Sequence, residues 1–333
     1  MGTLRQSTVL RYLCKELVSE GKFQQFPMGI IDVGARKGFE PHWRMFRGQI
    51  KRVGFEPDRE SFQDCQQNRS EEGATFENCA LDRIEGERKL YVTKYPSGSS
   101  FLKPHPATVK KYGLENLLEI VAEQTVRTTT LDTYLNRSNF EHVDFIKIDV
   151  EGAELDVLLG AKETLRNLAL GVSIEVVFET LREHQSEFPD INQFMNDLGF
   201  SLYDLDLNRW ARATWPKPAG ALINATCGQL VFGQALYLRD IRETVTPQNE
   251  VALLPERYWT RTRVLKIAAL MELFDLEDCA LDALEKGESS GVITGEEVKT
   301  WGKLLLKSRS RKPDSLEKSS RLLAFFKRLG SPG

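Results

Sequence analysis

From Met28 to about Asp204, short and nearly continuous apolar runs alternate with stretches whose apolar positions recur every three or four residues. The runs Met28–Val33, Arg52–Phe55, Thr75–Cys79, Asp144–Ile148 and Leu170–Val176 predict strands. Between them, Glu40–Arg47, Asp58–Asn68, Ala153–Asn167 and Ile191–Leu198 predict helices. Strands that are apolar on both faces, each followed by a helix, indicate a parallel sheet covered on two sides. Gln229–Leu238 predicts a further strand, with Ser201–Leu205 as its hairpin partner.

Two segments break this rhythm. Arg83–Gln124 carries a strand-like Lys89–Lys94, then the polar loop Pro96-Ser97-Gly98-Ser99-Ser100, then a helical pattern. A Gly- and Ser-bearing insertion beside such a sheet is a candidate substrate loop; a surface excursion is the plainer alternative. Beyond about Asp240 the periodicity is helical, over Arg261–Lys286, Glu296–Lys307 and Ser315–Leu329, with joints at Gly287–Gly291 and Pro313. At the other end, Val9, Leu10, Leu13 and Leu17 share one helical face. The resulting division is an N-terminal helix packing on the core (1–24), an α/β domain (25–240) and a helical extension with a basic tail (241–333).

Composition narrows the function. The 333 residues are 41% hydrophobic and 28% charged, enough apolar material for a sizeable core. A formal net charge of -3 excludes a uniformly basic nucleic-acid binder, and no nucleic-acid partner is expected. Eight basic and two acidic residues lie between Lys307 and Gly333, a balance suited to weak peripheral contact with a membrane. Docking of Leu322, Leu323, Phe326 and Leu329 on the main domain, or self-association, is the favoured role of this tail. No apolar run reaches the roughly 20 residues that span a bilayer, and charged residues interrupt any export signal in Met1–Lys22. Gln6 stands where a myristoylation motif wants Ser or Thr. Five scattered cysteines without a CxxC pair favour reduced thiols and a cytoplasmic setting.

Three motifs carry the chemistry. Ile30–Gly38 runs an apolar strand into Asp32-x-Gly34-x-x-x-Gly38, a turn in which glycine lets backbone amides approach a ligand. It is not the GxGxxG of dinucleotide sites. The acid before the glycines suits a ligand with a cationic amino group. Val53-Gly54-Phe55-Glu56-Pro57-Asp58 ends the next strand on a carboxylate about 20 residues past the glycine loop, the spacing that serves ribose hydroxyls. Asp58 fits a helix cap better. Asp144–Glu154 delivers Asp149 to a strand's carboxyl end, followed by Glu151 and Glu154; the helix dipole accounts for Glu154 but not for Asp149.

DVGARKG, GFEPD, NCALD, TLDTYL and IKIDVEGAELDVLLGA, with VSIEVVFE and DLGFSLYDLD after them, resemble the FkbM-type S-adenosylmethionine-dependent methyltransferases over residues 25–240. Arg36 and Lys37 depart from the family pattern. The resemblance implies a Rossmann-like class I methyltransferase fold, with a mostly parallel seven-stranded sheet, helices on both faces and a closing antiparallel pair. It implies S-adenosylmethionine as cofactor and O-methylation of a sugar or other small-molecule or glycan hydroxyl. By position, Asp32, Gly34 and Gly38 would hold the methionine portion and Glu56 the ribose. Asn78, Cys79 and Ala80 would flank the adenine, Asp149 would stand near the methyl-donor centre, and Ser99 and Ser100 would border the substrate.

A hydroxyl is a poor nucleophile, so a base should assist. Asp149, Glu175 and His184 are the leading candidates, with Glu151 and His105 behind them. Asp149 with Glu151 offers oxygen to a divalent metal, but no third acid stands at clear spacing, so a metal is not favoured. The rival readings are a non-catalytic methyltransferase-like scaffold and a methyltransferase acting on protein or nucleic acid.

Overall fold

The computed structural model describes residues 10–67, 73–216, 227–241 and 259–309. The expected helix at Ser315–Leu329 and the basic tail lie outside them. In chain order the strands are β1 (Met28–Val33), β2 (Ile50–Phe55), β3 (Ala74–Glu77), β4 (Ala80–Leu81) and β5 (Gly86–Thr93). They continue with β6 (Ile120–Thr129), β7 (Phe145–Ile148), β8 (Gly171–Val177), β9 (Phe200–Trp210) and β10 (Gln229–Arg239). Seven of them form one sheet in the order β3-β2-β1-β7-β8-β10-β9. β1 pairs parallel with β7, β7 with β8 and β2 with β3, whereas β10 runs antiparallel to β8. This is the class I methyltransferase fold.

The chain divides into two compact units. The larger comprises mainly 29–39 and 51–238 and holds the sheet. On one sheet face, Ile31, Val33, Val53, Phe55, Ile146, Ile148, Val172 and Ile174 pack with Val157, Leu158, Leu165, Ile191 and Met195 from the crossover helices. Each side chain of this kind contributes about 1.5–3 kcal/mol when fully buried.

The expected single helix over Ala153–Asn167 is two, Glu154–Leu159 and Lys162–Asn167. They part at Gly160, where a Cβ would stand 2.0 Å from the carbonyl oxygen of Asp82. Glu40–Arg47 is a 3-10 turn, Pro41–Phe46. In the insertion Pro106–Tyr112 is α-helical and Pro96–Gly98 a short 3-10 turn. The segment toward Gln124 leads into β6, which lies between β4 and β5 in a separate three-stranded sheet. Partnering by β5 over eight register positions outweighs the local helical pattern.

Among the described residues the smaller unit gathers 10–28, 40–50, 239–241 and 259–309. Arg261–Lys286 is two helices there, Arg261–Leu273 and Glu277–Ser289, separated at Asp275, whose φ is 67°. Glu272, a charge inside the apolar stretch Val264–Phe274, is fully buried. Its carboxylate accepts from the backbone N–H of Leu13 (3.0 Å) and Cys14 (2.7 Å), in the first turn of the helix Tyr12–Ser19, and from Ser308 Oγ (2.6 Å). It satisfies helix-end donors that lack intrahelical partners. Among the described residues no helix is long and apolar enough to cross a membrane.

Candidate active site

The sheet order reverses at β1: β2 and β3 are laid down on one side of it, and β7 and β8 on the other. In open α/β sheets the ligand crevice lies at that switch point, outside the strands' carboxyl ends. Gly34, Glu56 and Asp149 follow β1, β2 and β7 directly. Asp149 N–H donates to Val33 O (3.1 Å), and both Gly34 and Ala35 donate to Phe55 O (3.1 and 3.0 Å), which ties the three strand ends together. Gly34 has φ 83°, and a Cβ there would meet Asp149 O at 2.1 Å, so only glycine allows this approach. A Cβ on Gly38 would meet nothing within 4 Å, leaving open space above the loop.

Glu56 is buried, and burial raises its carboxyl from 4.5 to about 7 despite the nearby Arg36. One oxygen accepts from Asp58 N–H (2.8 Å); among the described residues no hydrogen bond reaches the other. Asn78, expected beside the adenine, gives its amide to Glu56 O (3.0 Å) and Pro57 O (3.1 Å), bracing the turn that presents the carboxylate. Ala80 lies buried in β4.

Asp32 is buried and already has a cation. Register sets it opposite Lys147, whose Nζ lies 3.1 Å from Asp32 Oδ1 and 3.8 Å from Asp149 Oδ2. Burial pushes the Asp32 carboxyl up, and Lys147 opposes that shift. Lys147 was not anticipated, although a lysine inside Phe145-Ile-Lys-Ile148 is itself a signal that a buried partner is near.

The turn after β7 is braced from several sides. Glu154, expected to serve the helix dipole, reaches back to accept from Val150 N–H (3.2 Å) and Gly152 N–H (3.0 Å), and burial raises its carboxyl to about 7. Ser100 Oγ donates to Glu151 O (2.7 Å), and Arg182 Nη2 donates to Glu151 Oε2 (2.6 Å) and Gly98 O (2.9 Å). Glu151 itself sits at φ 59°, a left-handed conformation that costs a non-glycine residue about 1–3 kcal/mol. The Gly/Ser loop is therefore joined to the β7 turn. Ser99 Oγ, by contrast, accepts from Thr93 N–H (3.2 Å) within the insertion. Arg36, one of the departures from the family pattern, donates to Pro96 O (2.9 Å) with its other nitrogen 3.8 Å from Asp58, linking the glycine loop to the same insertion.

Glu175 lies on β8 opposite Gln234. Burial, together with the charges of Asp149, Glu151 and Glu154, pushes its carboxyl well above the ordinary 4.5. His184 is exposed, on a turn rather than a helix, with φ 62°. The structure thus brings Gly34, Glu56, Asp149, Glu151 and Ser100 to one end of the sheet. It sets Asp32 beneath them on Lys147 and leaves His184 on the surface. Among the described residues no group of three or more His, Cys, Asp and Glu side chains is placed to hold a metal ion.

The Methyltransferase FkbM domain model matches residues 32–202, from the end of β1 through β7 and β8, with the whole insertion. The chain belongs to this family. It is a methyltransferase, and the family's methyl donor is S-adenosylmethionine. "Methyltransferase 1" of Beauveria bassiana is 26% identical over 186 residues, covering 52% of this chain and 72% of that protein. "Methyltransferase sdnD" of Sordaria araneosa is 27% identical over 218 residues, covering 59% and 80%. A magnesium protoporphyrin IX methyltransferase from Synechocystis PCC 6803, solved with bound SAM, aligns with 68% of this chain and 76% of its own. Its TM-score is 0.32 and its identity 10%, too slight a likeness to bear on the site.

Proposed function

We propose that this methyltransferase acts on oxygen, at a neutral hydroxyl of a sugar or another small-molecule or glycan acceptor. The observation that carries the reading is the pair of carboxylates, Asp149 and Glu151, brought to the switch point by one strand end. They stand across the glycine loop from Glu56. A hydroxyl needs an acceptor for its proton, and carboxylates at the donor crevice supply one.

The residues present suit the cofactor. Glu56 offers a buried carboxylate oxygen without a partner among the described residues, the complement of a ribose diol. The space at Gly38 leaves room beside the loop amides. In this reading Gly34 and Gly38 shape the cradle for the methionine portion, and Asp32 acts there through Lys147. Asn78 and Ala80 hold the strand end that flanks the adenine, and Asp149 faces the donor centre. Ser99 and Ser100 belong to the loop over the acceptor. Bound there, S-adenosylmethionine supplies an electrophilic methyl group. Glu175 belongs to the same acidic group as Asp149, Glu151 and Glu154, and His184, exposed on its turn, is not part of the proposal. A cytoplasmic setting rests on the scattered cysteines alone.

Labelled methyl transfer into metabolite extracts fractionated by polarity tests the acceptor class. Label should enter a neutral, hydroxyl-rich fraction and survive alkaline treatment as an ether. Label confined to protein, nucleic acid or amines would overturn the reading. On that acceptor, Asp149→Asn should slow turnover by about 10²–10³-fold through loss of the charge that faces the sulfonium donor; wild-type turnover would reduce Asp149 to a structural cap.

A further inference from the structure

We propose that Arg182 is a positioning residue that locks the Gly98–Lys103 loop onto the β7 turn and aims Glu151 to take the acceptor hydroxyl's proton. This rests on the hydroxyl reading above and names the residue that would serve it.

Arg182 is 3% exposed. Its Nη2 bridges Gly98 O and the Glu151 carboxylate, and its backbone continues the tie: Pro104 and Arg182 form an antiparallel bridge, flanked by His105 N–H to Leu181 O (2.9 Å) and Glu183 N–H to Lys103 O (2.9 Å). Gln185 holds the Arg182 end by accepting from the N–H of Leu181 (3.2 Å) and Arg182 (3.1 Å). Below the guanidinium lies Gly152, where a Cβ would come within 3.0 Å of Arg182 Cδ.

Two features are costly for a merely structural fork. Among the described residues Arg182 Nη1 is buried with no hydrogen-bond partner, a penalty native proteins seldom carry without a function behind it. Glu151 and His184, on either side of the fork, both have left-handed backbones without being glycine. The outcome of this arrangement is specific. With Oε2 taken by Arg182 and the main-chain carbonyl taken by Ser100, Glu151 keeps Oε1 without a hydrogen bond among the described residues, on a side chain that is 34% exposed. That oxygen accepts the hydroxyl proton: the acceptor's O–H bond breaks, and an O–H bond forms on the carboxyl. Asp149 and Glu154 nearby make an anionic acceptor unfavourable, which fits a neutral hydroxyl.

The full chain carries the test, with S-adenosylhomocysteine as the probe of the donor site. In Arg182→Gln, amide hydrogen exchange across 98–104 should rise at least about tenfold. In Glu151→Gln it should stay near wild type, because glutamine keeps an oxygen for Nη2. Glu151→Gln should nevertheless slow single-turnover transfer of labelled methyl to the accepting extract fraction by about 10²-fold or more. S-adenosylhomocysteine affinity should change less than threefold in both. Unchanged exchange in Arg182→Gln, or wild-type transfer by Glu151→Gln, would overturn the proposal. Failure of the wild-type chain to bind S-adenosylhomocysteine would instead overturn the donor-site reading, while exchange measured without ligand still reports on the lock.

Discussion

Glu56 shows how one residue's environment becomes a measurable property. Its carboxyl is raised to about 7 because burial disfavours the charge more than Asp58 N–H and Arg36 restore it. The folded chain therefore favours the neutral form. This contribution to stability is present below the ordinary value of 4.5 and is lost as pH rises through about 7. Ribose hydroxyls ask for the opposite form, an ionised acceptor. Affinity for S-adenosylhomocysteine should consequently weaken as pH falls below about 7, approaching tenfold per pH unit, and Glu56→Gln should flatten that dependence. Titration calorimetry from pH 5.5 to 8.5 reads both slopes. A carboxylate at a strand's end is visible in the sequence, as is the glycine loop, because both requirements are local. The pairings of Lys147 and Arg182 are not. Their roles come from register with Asp32 and from a contact spanning 84 positions to Gly98, which no short motif encodes.

Among the elements, the strands were legible because continuous apolar runs in a buried parallel sheet need no knowledge of their partners. β1 matches its expected limits, and the others shift at their ends. Helix continuity was less legible. Ala153–Asn167 has an unbroken periodicity, yet Gly160 packs so closely on the chain at Asp82 that the helix stops and restarts. Gly160→Ala places a methyl 2.0 Å from a carbonyl oxygen that cannot swing away as a side chain would. A loss of about 1–3 kcal/mol is expected in urea unfolding, the usual cost of overpacking. A stability within a few tenths of wild type would mean that the main chain relaxes freely there. β6 illustrates the reverse error, in which tertiary pairing overrides a local pattern.

At the scale of the whole molecule, the compact units do not follow the chain in order. The smaller takes its N-terminal helix and the Glu40–Ile50 segment from positions far ahead of its remaining helices. Glu272 binds that arrangement together. Glu272→Leu would leave the N–H groups of Leu13 and Cys14 and the Ser308 hydroxyl without their buried acceptor. A loss of at least about 2 kcal/mol is expected, read as a lower urea midpoint; an unchanged midpoint would show that the helix Tyr12–Ser19 needs no cap. The larger unit brings the ends of β1, β2 and β7 to a single switch point, and the claim that this crevice is the donor site is the central one. Isothermal titration of the full chain with S-adenosylhomocysteine at pH 8, wild type against Glu56→Ala, tests it most directly. One site per chain is expected, weakened about tenfold to a hundredfold by the substitution, on the scale of losing hydrogen bonds to a charged group. Equal affinity in the two proteins would contradict it.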